Sequence, residues 1–261
     1  MSHPAHGRFV WYDLMTTDPT AAKAFYNQLI GWGTQPWEGG DMAYTMWTLG
    51  KDPFGGVMDL PKEASDAGAP PHWLAYVAVT DVAVSCDRAT ELGGTVLHAP
   101  TDIEGAGCFA VLKDPQGAVF AVYTSEDLST DAPQPPGIGQ ISWHELVTSD
   151  FQAGFDFYSD LFGWETKEDM DMGDDWIYRL YGEPESLPLG GMFTKPAEMP
   201  GPPMWLYYIS VPSVDDAVAK VKELGGQVLK GPMDVPDGDK IAQCMDPQGA
   251  VFALHSKPAE S

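Results

Sequence analysis

The chain has 261 residues, 44% of them hydrophobic and 20% charged, which is typical of a folded globular protein and not of a disordered one. It carries 14 Lys and Arg against 38 Asp and Glu, a formal charge of -24, so we expect its surface to repel nucleic-acid phosphates and anionic membranes. No apolar run reaches the ~20 residues of a membrane span, and the first residues, MSHPAHGRFVWYDL, lack a secretory signal pattern.

The chain begins with a predicted strand and a predicted helix. The segment FVWYDLMTTD predicts the strand, and PTAAKAFYNQLIGW predicts the helix. Asp18 is a suitable N-cap with Pro19 at the first helical position, and Gly31 is a suitable stop. Short β segments are then expected at 44–49 and 55–60, bounded by Gly, Pro and Asp.

The same order of elements follows a second time. WLAYVAVTD predicts a strand, and VAVSCDRATELGG predicts a helix that stops at its final glycines. Further strands are predicted at 95–98, 108–113 and 118–123, whereas the acidic or small-residue stretches 62–70 and 165–175 are expected to be loops. Each pass of strand, helix and several strands is one βαβββ module.

The second half of the chain repeats the first half. The octamer DPQGAVFA starts at positions 114 and 246, so the copies lie 132 residues apart, and the same offset links Trp11 to Trp143. Two domains are therefore predicted at 7–125 and 139–257, joined by a Pro- and Gly-rich linker at 126–138. We interpret DPQG as a structural β-turn in both copies.

Four such modules predict an α+β fold with mixed sheets, because strands outnumber helices. The motifs TDPTAAKAFYNQLIGW and DPQGAVFA, with their second-copy partners, resemble the vicinal oxygen chelate superfamily of glyoxalase I, bleomycin-resistance proteins and extradiol dioxygenases. The tandem layout is similar to that of glyoxalase-like proteins of actinobacteria. The resemblance implies modules that curl into incomplete barrels around cavities, and two domains that associate as a pseudo-dimer within one chain.

The resemblance also implies four strand positions that hold a divalent metal in the enzymes of the family. Spacing from the recurrent aspartates assigns three of these positions to Trp11, Leu74 and Ala121 in the first copy, and to Trp143, Leu206 and Ala253 in the second. The fourth position lies near Met58 in the first copy and near Met192 or Phe193 in the second. None of these is a metal-ligand type, so we expect no metal cofactor. A displaced divalent metal would need Glu145, His255 or His72, and the alternative is that both histidines are partly solvated or hydrogen-bonded.

The inward faces of the predicted strands supply the candidate ligand-binding residues, because positions two apart on a strand share a face. The resulting lining is largely aromatic and apolar, which suits a small organic ligand. The set comprises Trp11, Trp143, His72, Leu74, Tyr76, Tyr123, Met204, Leu206, Tyr208 and His255. The alternative is that the two tryptophans fill the barrels and leave no cavity.

Asp13 and Glu145 are the candidate catalytic residues, because they occupy equivalent positions on strands that should be half-buried. A buried carboxylate must be hydrogen-bonded, or its pKa rises through desolvation. One interpretation is a ligand anchor or a general base. The other is a structural carboxylate that accepts hydrogen bonds from backbone N–H groups or from the tryptophan indole.

The favoured function is the binding of a small organic molecule in cavities between the modules, without a metal, as the resemblance to bleomycin-resistance proteins implies. An acidic surface fits a cationic ligand. One alternative is a glyoxalase-type lyase or isomerase acting on a small carbonyl compound, and a second is a hydroxylase or dioxygenase with Fe(II). No order of Ser, His and Asp in the chain favours a hydrolase.

The expected partner is a small molecule, with neither nucleic acid nor membrane. We expect a monomer that contains the pseudo-dimer, or a homodimer. The cysteines, 3 in number, predict reduced thiols and a cytoplasmic protein, with export without a signal peptide as the alternative.

Overall fold

The computed structural model describes residues 5–39, 43–129, 134–173 and 176–258. Within these ranges, no helix combines the length and the apolar character needed to cross a membrane. Both copies of the repeat have the same order of long helices and strands. The first copy contains β1 (Phe9–Thr16), α1 (Pro19–Ile30), β2 (Gly33–Pro36), β3 (Thr45–Leu49), β4 (Asp52–Asp59), α2 (Lys62–Asp66), β5 (His72–Ala78), α3 (Val82–Glu91), β6 (Thr95–Ile103), β7 (Gly107–Lys113) and β8 (Val119–Thr124).

The second copy repeats this order, with a 3-10 turn at Pro236–Gly238 and no counterpart of α2 among its described residues. Its elements are β9 (Ile141–Thr148), α4 (Phe151–Phe162), β10 (Glu165–Asp171), β11 (Ile177–Gly182), β12 (Gly190–Thr194), β13 (Met204–Ser210), α5 (Val214–Glu223), β14 (Gln227–Asp234), β15 (Lys240–Met245) and β16 (Val251–Ser256).

Each copy contributes one eight-stranded mixed sheet. The strand orders are β2-β3-β4-β1-β5-β8-β7-β6 and β10-β11-β12-β9-β13-β16-β15-β14. The first strand of each module pairs in parallel with the last, as β1 does with β4, and the intervening strands are antiparallel. The predicted α+β class with mixed sheets is confirmed.

The helix boundaries follow the predicted capping residues. The Asp18 carboxylate accepts the backbone N–H of Ala21, Pro19 opens α1, and Gly31 ends it with a φ of 87°. In the same way, Asp150 caps the N-terminus of α4 and Gly163 caps its C-terminus.

Several strand and loop predictions need correction. The strands predicted at 55–60 and 95–98 are instead Asp52–Asp59 and Thr95–Ile103, and β2 was not predicted. The expected loop 62–70 contains α2, and the expected loop 165–175 contains β10; residues 174 and 175 lie outside the described part. β10 has the mostly exposed, polar side chains of an outermost strand, so the alternation of apolar residues that marks a strand is missing.

Two compact units form, and they do not follow the repeat. Unit 1 contains the described parts of Met1–Val10, Ala75–Pro133 and Trp143–Trp205. Unit 2 contains those of Trp11–Leu74, Gln134–Ser142 and Leu206–Ser261. Each unit therefore combines one module of the first copy with one module of the second.

Buried hydrogen bonds join the two modules of unit 2. The Tyr26 hydroxyl donates to Asp246 Oδ2 at 3.1 Å and accepts the Trp73 indole N–H at 3.0 Å. The Trp32 indole N–H donates to the carbonyl of Gly139 at 2.7 Å. These bonds connect side chains of the first copy to the DPQG turn of the second copy and to its entry segment, which is the stretch just before β9.

Unit 1 contains the same bonds with the copies exchanged. The Tyr158 hydroxyl donates to Asp114 Oδ2 at 3.0 Å and accepts the Trp205 indole N–H at 3.0 Å, and Trp164 donates to the carbonyl of Gly7 at 2.8 Å. Oδ1 of Asp114 meanwhile accepts the three backbone N–H groups of residues 116–118. The DPQG turn is thus structural, and it also joins the modules.

Candidate functional site

Two of the predicted residues, Trp11 and Asp13 on β1, form a hydrogen-bonded group with Tyr44, which precedes β3. The Trp11 indole N–H lies 3.0 Å from Asp13 Oδ1 and 2.7 Å from the Tyr44 hydroxyl oxygen. That hydroxyl donates to Asp13 Oδ1 at 2.6 Å. Asp13 is only 4% exposed, whereas the two rings are half-buried. We call Trp11, Tyr44 and Asp13 the first triplet.

β9 carries an equivalent group in unit 1, the second triplet of Trp143, Tyr178 and Glu145. The Trp143 indole N–H donates to the Tyr178 hydroxyl at 2.8 Å, and that hydroxyl donates to Glu145 Oε2 at 2.9 Å. Glu145 is 6% exposed, and both rings are half-buried. In each triplet the tyrosine hydroxyl therefore accepts from the indole and donates to the carboxylate.

Glycines on the neighbouring strand make room for the two tyrosine rings. A Cβ on Gly56 would lie 2.0 Å from the Tyr44 hydroxyl oxygen, and one on Gly191 would lie 2.2 Å from a ring carbon of Tyr178. Such distances are well below van der Waals contact, so a side chain at either glycine would displace the tyrosine. Both triplets thus depend on a glycine, which has no side chain, opposite the tyrosine ring.

Tyr44 and Tyr178 are the site residues that the sequence analysis missed. They lie 134 residues apart in the only stretch where the offset of 132 between the copies fails. A signal was present, because a Gly-Gly pair inside a strand of both copies indicates close approach of another group. The sequence alone does not show which side chain lies against the glycines.

The contacts bear on the two interpretations of the carboxylates. The bond from Trp11 to Asp13 is the indole contact that the structural interpretation predicts. A buried carboxylate that accepts a hydrogen bond from a half-exposed tyrosine hydroxyl can also bind a cation or exchange a proton with a ligand. The contacts of Asp13 and Glu145 therefore fit both interpretations.

The other candidate residues of unit 2 have varied surroundings. His72 opens β5, its Nδ1 lies 2.7 Å from the carbonyl of Pro70, and burial lowers the pKa of its imidazole. Leu74 and Leu206 are buried at 1% and 3% exposure. His255 contacts Asp239 and Ser142, next to the carbonyl of Tyr208.

The remaining candidates belong to unit 1 and are mainly aromatic. The ring of Tyr76 is buried, with its centroid 6.0 Å from that of Phe109. The Tyr123 hydroxyl donates to the carbonyl of Ala106, and Met204 is half-buried at the start of β13.

The side chains at the positions that the resemblance assigns to metal ligands do not fit a divalent metal. Trp11 and Trp143 offer an indole N–H, which only donates, and the leucines and alanines offer hydrocarbon. Among the described residues, no group of three or more His, Cys, Asp and Glu side chains is arranged to hold a metal ion.

Comparisons with known proteins agree with this architecture. A family model described as "Glyoxalase-like domain" matches residues 10–123, and one described as "Glyoxalase/Bleomycin resistance protein/Dioxygenase superfamily" matches residues 137–254. "Putative glyoxylase CFP32" of Mycobacterium tuberculosis is 35% identical over 254 residues, covering 95% of this chain and 94% of that protein. "Anthracycline biosynthesis protein DnrV" of Streptomyces peucetius is 30% identical over 269 residues, covering 97% and 94%.

Solved structures share the fold at lower identity. The Mn(II)-bound glyoxalase from Novosphingobium aromaticivorans has a TM-score of 0.62 at 19% identity, covering 98% of this chain and 83% of that one. The 2,3-dioxygenase LapB from Pseudomonas sp. KL28 has a TM-score of 0.66 at 13% identity, covering 98% and 95%. From the tandem modules, the two matched domains and full-length relatives, this chain belongs to the glyoxalase/bleomycin resistance protein/dioxygenase superfamily.

Proposed function

We propose that the chain binds a small organic molecule at the two triplets, without a metal. The observation that carries this proposal is the repetition of a Trp–Tyr–carboxylate group in both copies, each opposite a glycine that makes room for the tyrosine. Half-exposed aromatic rings beside a buried carboxylate provide a stacking face and a hydrogen-bond acceptor together. The free thiols of the three cysteines favour a reducing compartment, and we propose the cytoplasm.

A flat ligand that carries a positive charge suits this chemistry best. Tryptophan and tyrosine faces attract cations, and Asp13 or Glu145 supplies the opposite charge. The formal charge of -24 raises the local concentration of cations around the protein. The relatives named for anthracycline biosynthesis are consistent with an organic ligand of some size.

A glyoxalase-type lyase or isomerase acting on a small carbonyl compound is the second candidate. Asp13 or Glu145 would accept the proton next to the carbonyl, and the tyrosine hydroxyl that bonds to that carboxylate would orient it. The relative named as a glyoxylase supports this alternative. A hydroxylase or dioxygenase is less favoured, because the side chains at the family's ligand positions do not suit iron.

Binding can be tested with proflavine, a planar aromatic cation, followed by quenching of tryptophan fluorescence. We expect saturable quenching that Asp13→Asn and Glu145→Gln each weaken by about tenfold at their own triplet, because the charge is removed and the shape kept. Tyr44→Phe and Tyr178→Phe should weaken binding less. Treatment with EDTA, followed by metal analysis, should leave the affinity unchanged.

The matched control is Trp176→Phe, since the indole of this half-buried tryptophan donates to the backbone carbonyl of Thr194 and belongs to neither triplet. Unchanged proflavine affinity in both carboxylate variants would contradict the proposed site. Turnover of methylglyoxal that Glu145→Gln or Asp13→Asn abolishes would favour the lyase or isomerase.

A further inference from the structure

Three polar side chains that the proposed function does not use form a hydrogen-bonded chain in unit 2. Asp239 Oδ2 lies 2.8 Å from His255 Nε2, and His255 Nδ1 lies 2.9 Å from Ser142 Oγ. Asp239 lies between the 3-10 turn and β15, His255 lies on β16, and Ser142 lies at the start of β9. A carboxylate, an imidazole and a hydroxyl in this order are the elements of nucleophilic catalysis.

The tautomer of a neutral His255 imidazole follows from its two neighbours. The Asp239 carboxylate accepts hydrogen bonds and donates none, so the proton of a neutral His255 lies on Nε2. The lone pair of Nδ1 then faces the Ser142 hydroxyl at 2.9 Å and can accept its proton. The carbonyl of Tyr208 is the other acceptor near this hydroxyl, at the longer distance of 3.3 Å. The geometry thus directs the serine proton towards the imidazole.

The first copy lacks all three groups at the equivalent positions. Subtracting the offset of 132 assigns Ser142 to Val10, Asp239 to Gly107 and His255 to Tyr123. Tyr123 donates instead to the carbonyl of Ala106. Because the first copy builds the same sheet without these groups, the fold does not require them.

We propose that Ser142 is a nucleophile for acyl transfer from small activated esters. His255 is the general base, and Asp239 is a positioning residue that holds the imidazole by its contact with Nε2. The side chains of His255 and Asp239 are 16% and 25% exposed and Ser142 is half-buried, so a small reagent can reach them. This site is independent of the triplets.

In the reaction, Ser142 Oγ bonds to the ester carbonyl carbon while its proton moves to His255 Nδ1. The bond between that carbon and the alcohol oxygen then breaks, and the leaving alcohol takes the proton from the imidazole. A water molecule next attacks the acyl carbon and gives a proton to His255 Nδ1. The bond between that carbon and Ser142 Oγ then breaks, Oγ takes the proton back from the imidazole, and the acid leaves. Water is the only co-reactant, and no oxidation takes place.

A fluorophosphonate probe tests the proposal on the intact protein, with peptide mass mapping of the labelled residue. We expect one label, on Ser142, and release of 4-nitrophenol from 4-nitrophenyl acetate by the same protein. The Ser142→Ala variant should lose both, and His255→Gln should slow both at least a hundredfold, as loss of a general base does. A wild-type protein that remains unlabelled at Ser142 overturns the proposal without any variant.

Further variants separate positioning from folding. Asp239→Asn should slow labelling about tenfold and Asp239→Glu should recover part of the rate, whereas a merely structural aspartate would not affect the rate in a protein with an unchanged melting temperature. The matched control is Ser149→Ala, an exposed serine that donates to the amide oxygen of Gln116. Labelling of Ser142 that proceeds equally fast in a folded His255→Gln protein would also overturn the proposal.

Discussion

At the scale of the residue, equivalent positions of the two copies differ in their chemistry. His144 lies 132 residues after Tyr12, is buried on β9, and stacks on Phe9 with ring centroids 3.8 Å apart. Its Nδ1 lies 2.9 Å from the carbonyl of Leu189, and burial lowers the pKa of its imidazole to about 4. A neutral histidine is therefore part of the core at physiological pH.

We expect His144 to make the protein sensitive to acid. Because the folded pKa is lowered from 6.5 to about 4, the unfolded chain binds the proton more readily. The contribution to the free energy of unfolding is complete above pH 6.5 and decreases as the pH falls towards 4. Its size is about 2–4 kcal/mol, since each unit of pKa difference corresponds to about 1.4 kcal/mol.

Urea unfolding of wild type and His144→Phe at several pH values between 7.5 and 4 measures this contribution. The variant should be less dependent on pH by that amount, because it removes the titrating group and keeps a ring against Phe9. His98→Gln, on the exposed strand β6, is the control and should follow the wild type. Equal pH slopes in wild type and His144→Phe would contradict the assignment.

At the scale of the element, the DPQG turn between β7 and β8 is stabilised from two sides. Asp114 Oδ1 accepts backbone N–H groups of the turn itself, and Oδ2 accepts the hydroxyl of Tyr158 on α4. Burial raises the pKa of this carboxyl, and the hydrogen bonds act in the opposite direction. The turn therefore depends on both partners to offset the desolvation of the carboxylate.

Asp114→Ala is expected to lower the free energy of unfolding by about 2–4 kcal/mol, because it removes the carboxylate that accepts the backbone N–H groups of the turn and the buried Tyr158 hydroxyl. Asp114→Asn should cost less, since it keeps one oxygen. Urea unfolding measures both values, and the control is Asp66→Ala, which breaks an exposed pair with Lys62 worth at most about 1 kcal/mol. Similar losses in Asp114→Ala and the control would be inconsistent with this role.

At the scale of the whole molecule, the compact units cross the boundaries of the repeat. The bonds from Trp32 to Gly139 and from Trp164 to Gly7 each join one copy to the entry segment of the other. Both indoles are buried at 0% and 1% exposure, so their N–H groups need these carbonyls. The domain boundaries at 7–125 and 139–257 stay a prediction about the two copies of the repeat. The compact units are defined differently, because each combines residues of both copies.

Cleavage of the linker should consequently leave the protein assembled. With a protease site inserted in 126–138, we expect the two fragments to elute together at the mass of the intact chain. Trp32→Phe combined with Trp164→Phe should weaken the nicked complex, whereas Trp176→Phe should not. Separation of the wild-type fragments under native conditions would show that the units do not depend on both copies.

The sequence by itself determined the repeat, the α+β class, most helix ends and the buried carboxylates Asp13 and Glu145. These features depend on local patterns, such as capping residues, alternation and turn motifs, that occur twice in the chain. It identified His255 as a candidate for ligand binding or for a displaced metal, without its partners Asp239 and Ser142.

The tertiary structure decided which distant residues meet. Tyr44 reaches Asp13 across 31 positions, and Ser142 meets His255 across 113. Such contacts depend on strand register and on loops that break the repeat, neither of which a local pattern specifies. For the same reason only the structure determined that each compact unit takes one module from each copy, because burying a module's apolar face requires a partner surface from elsewhere in the chain.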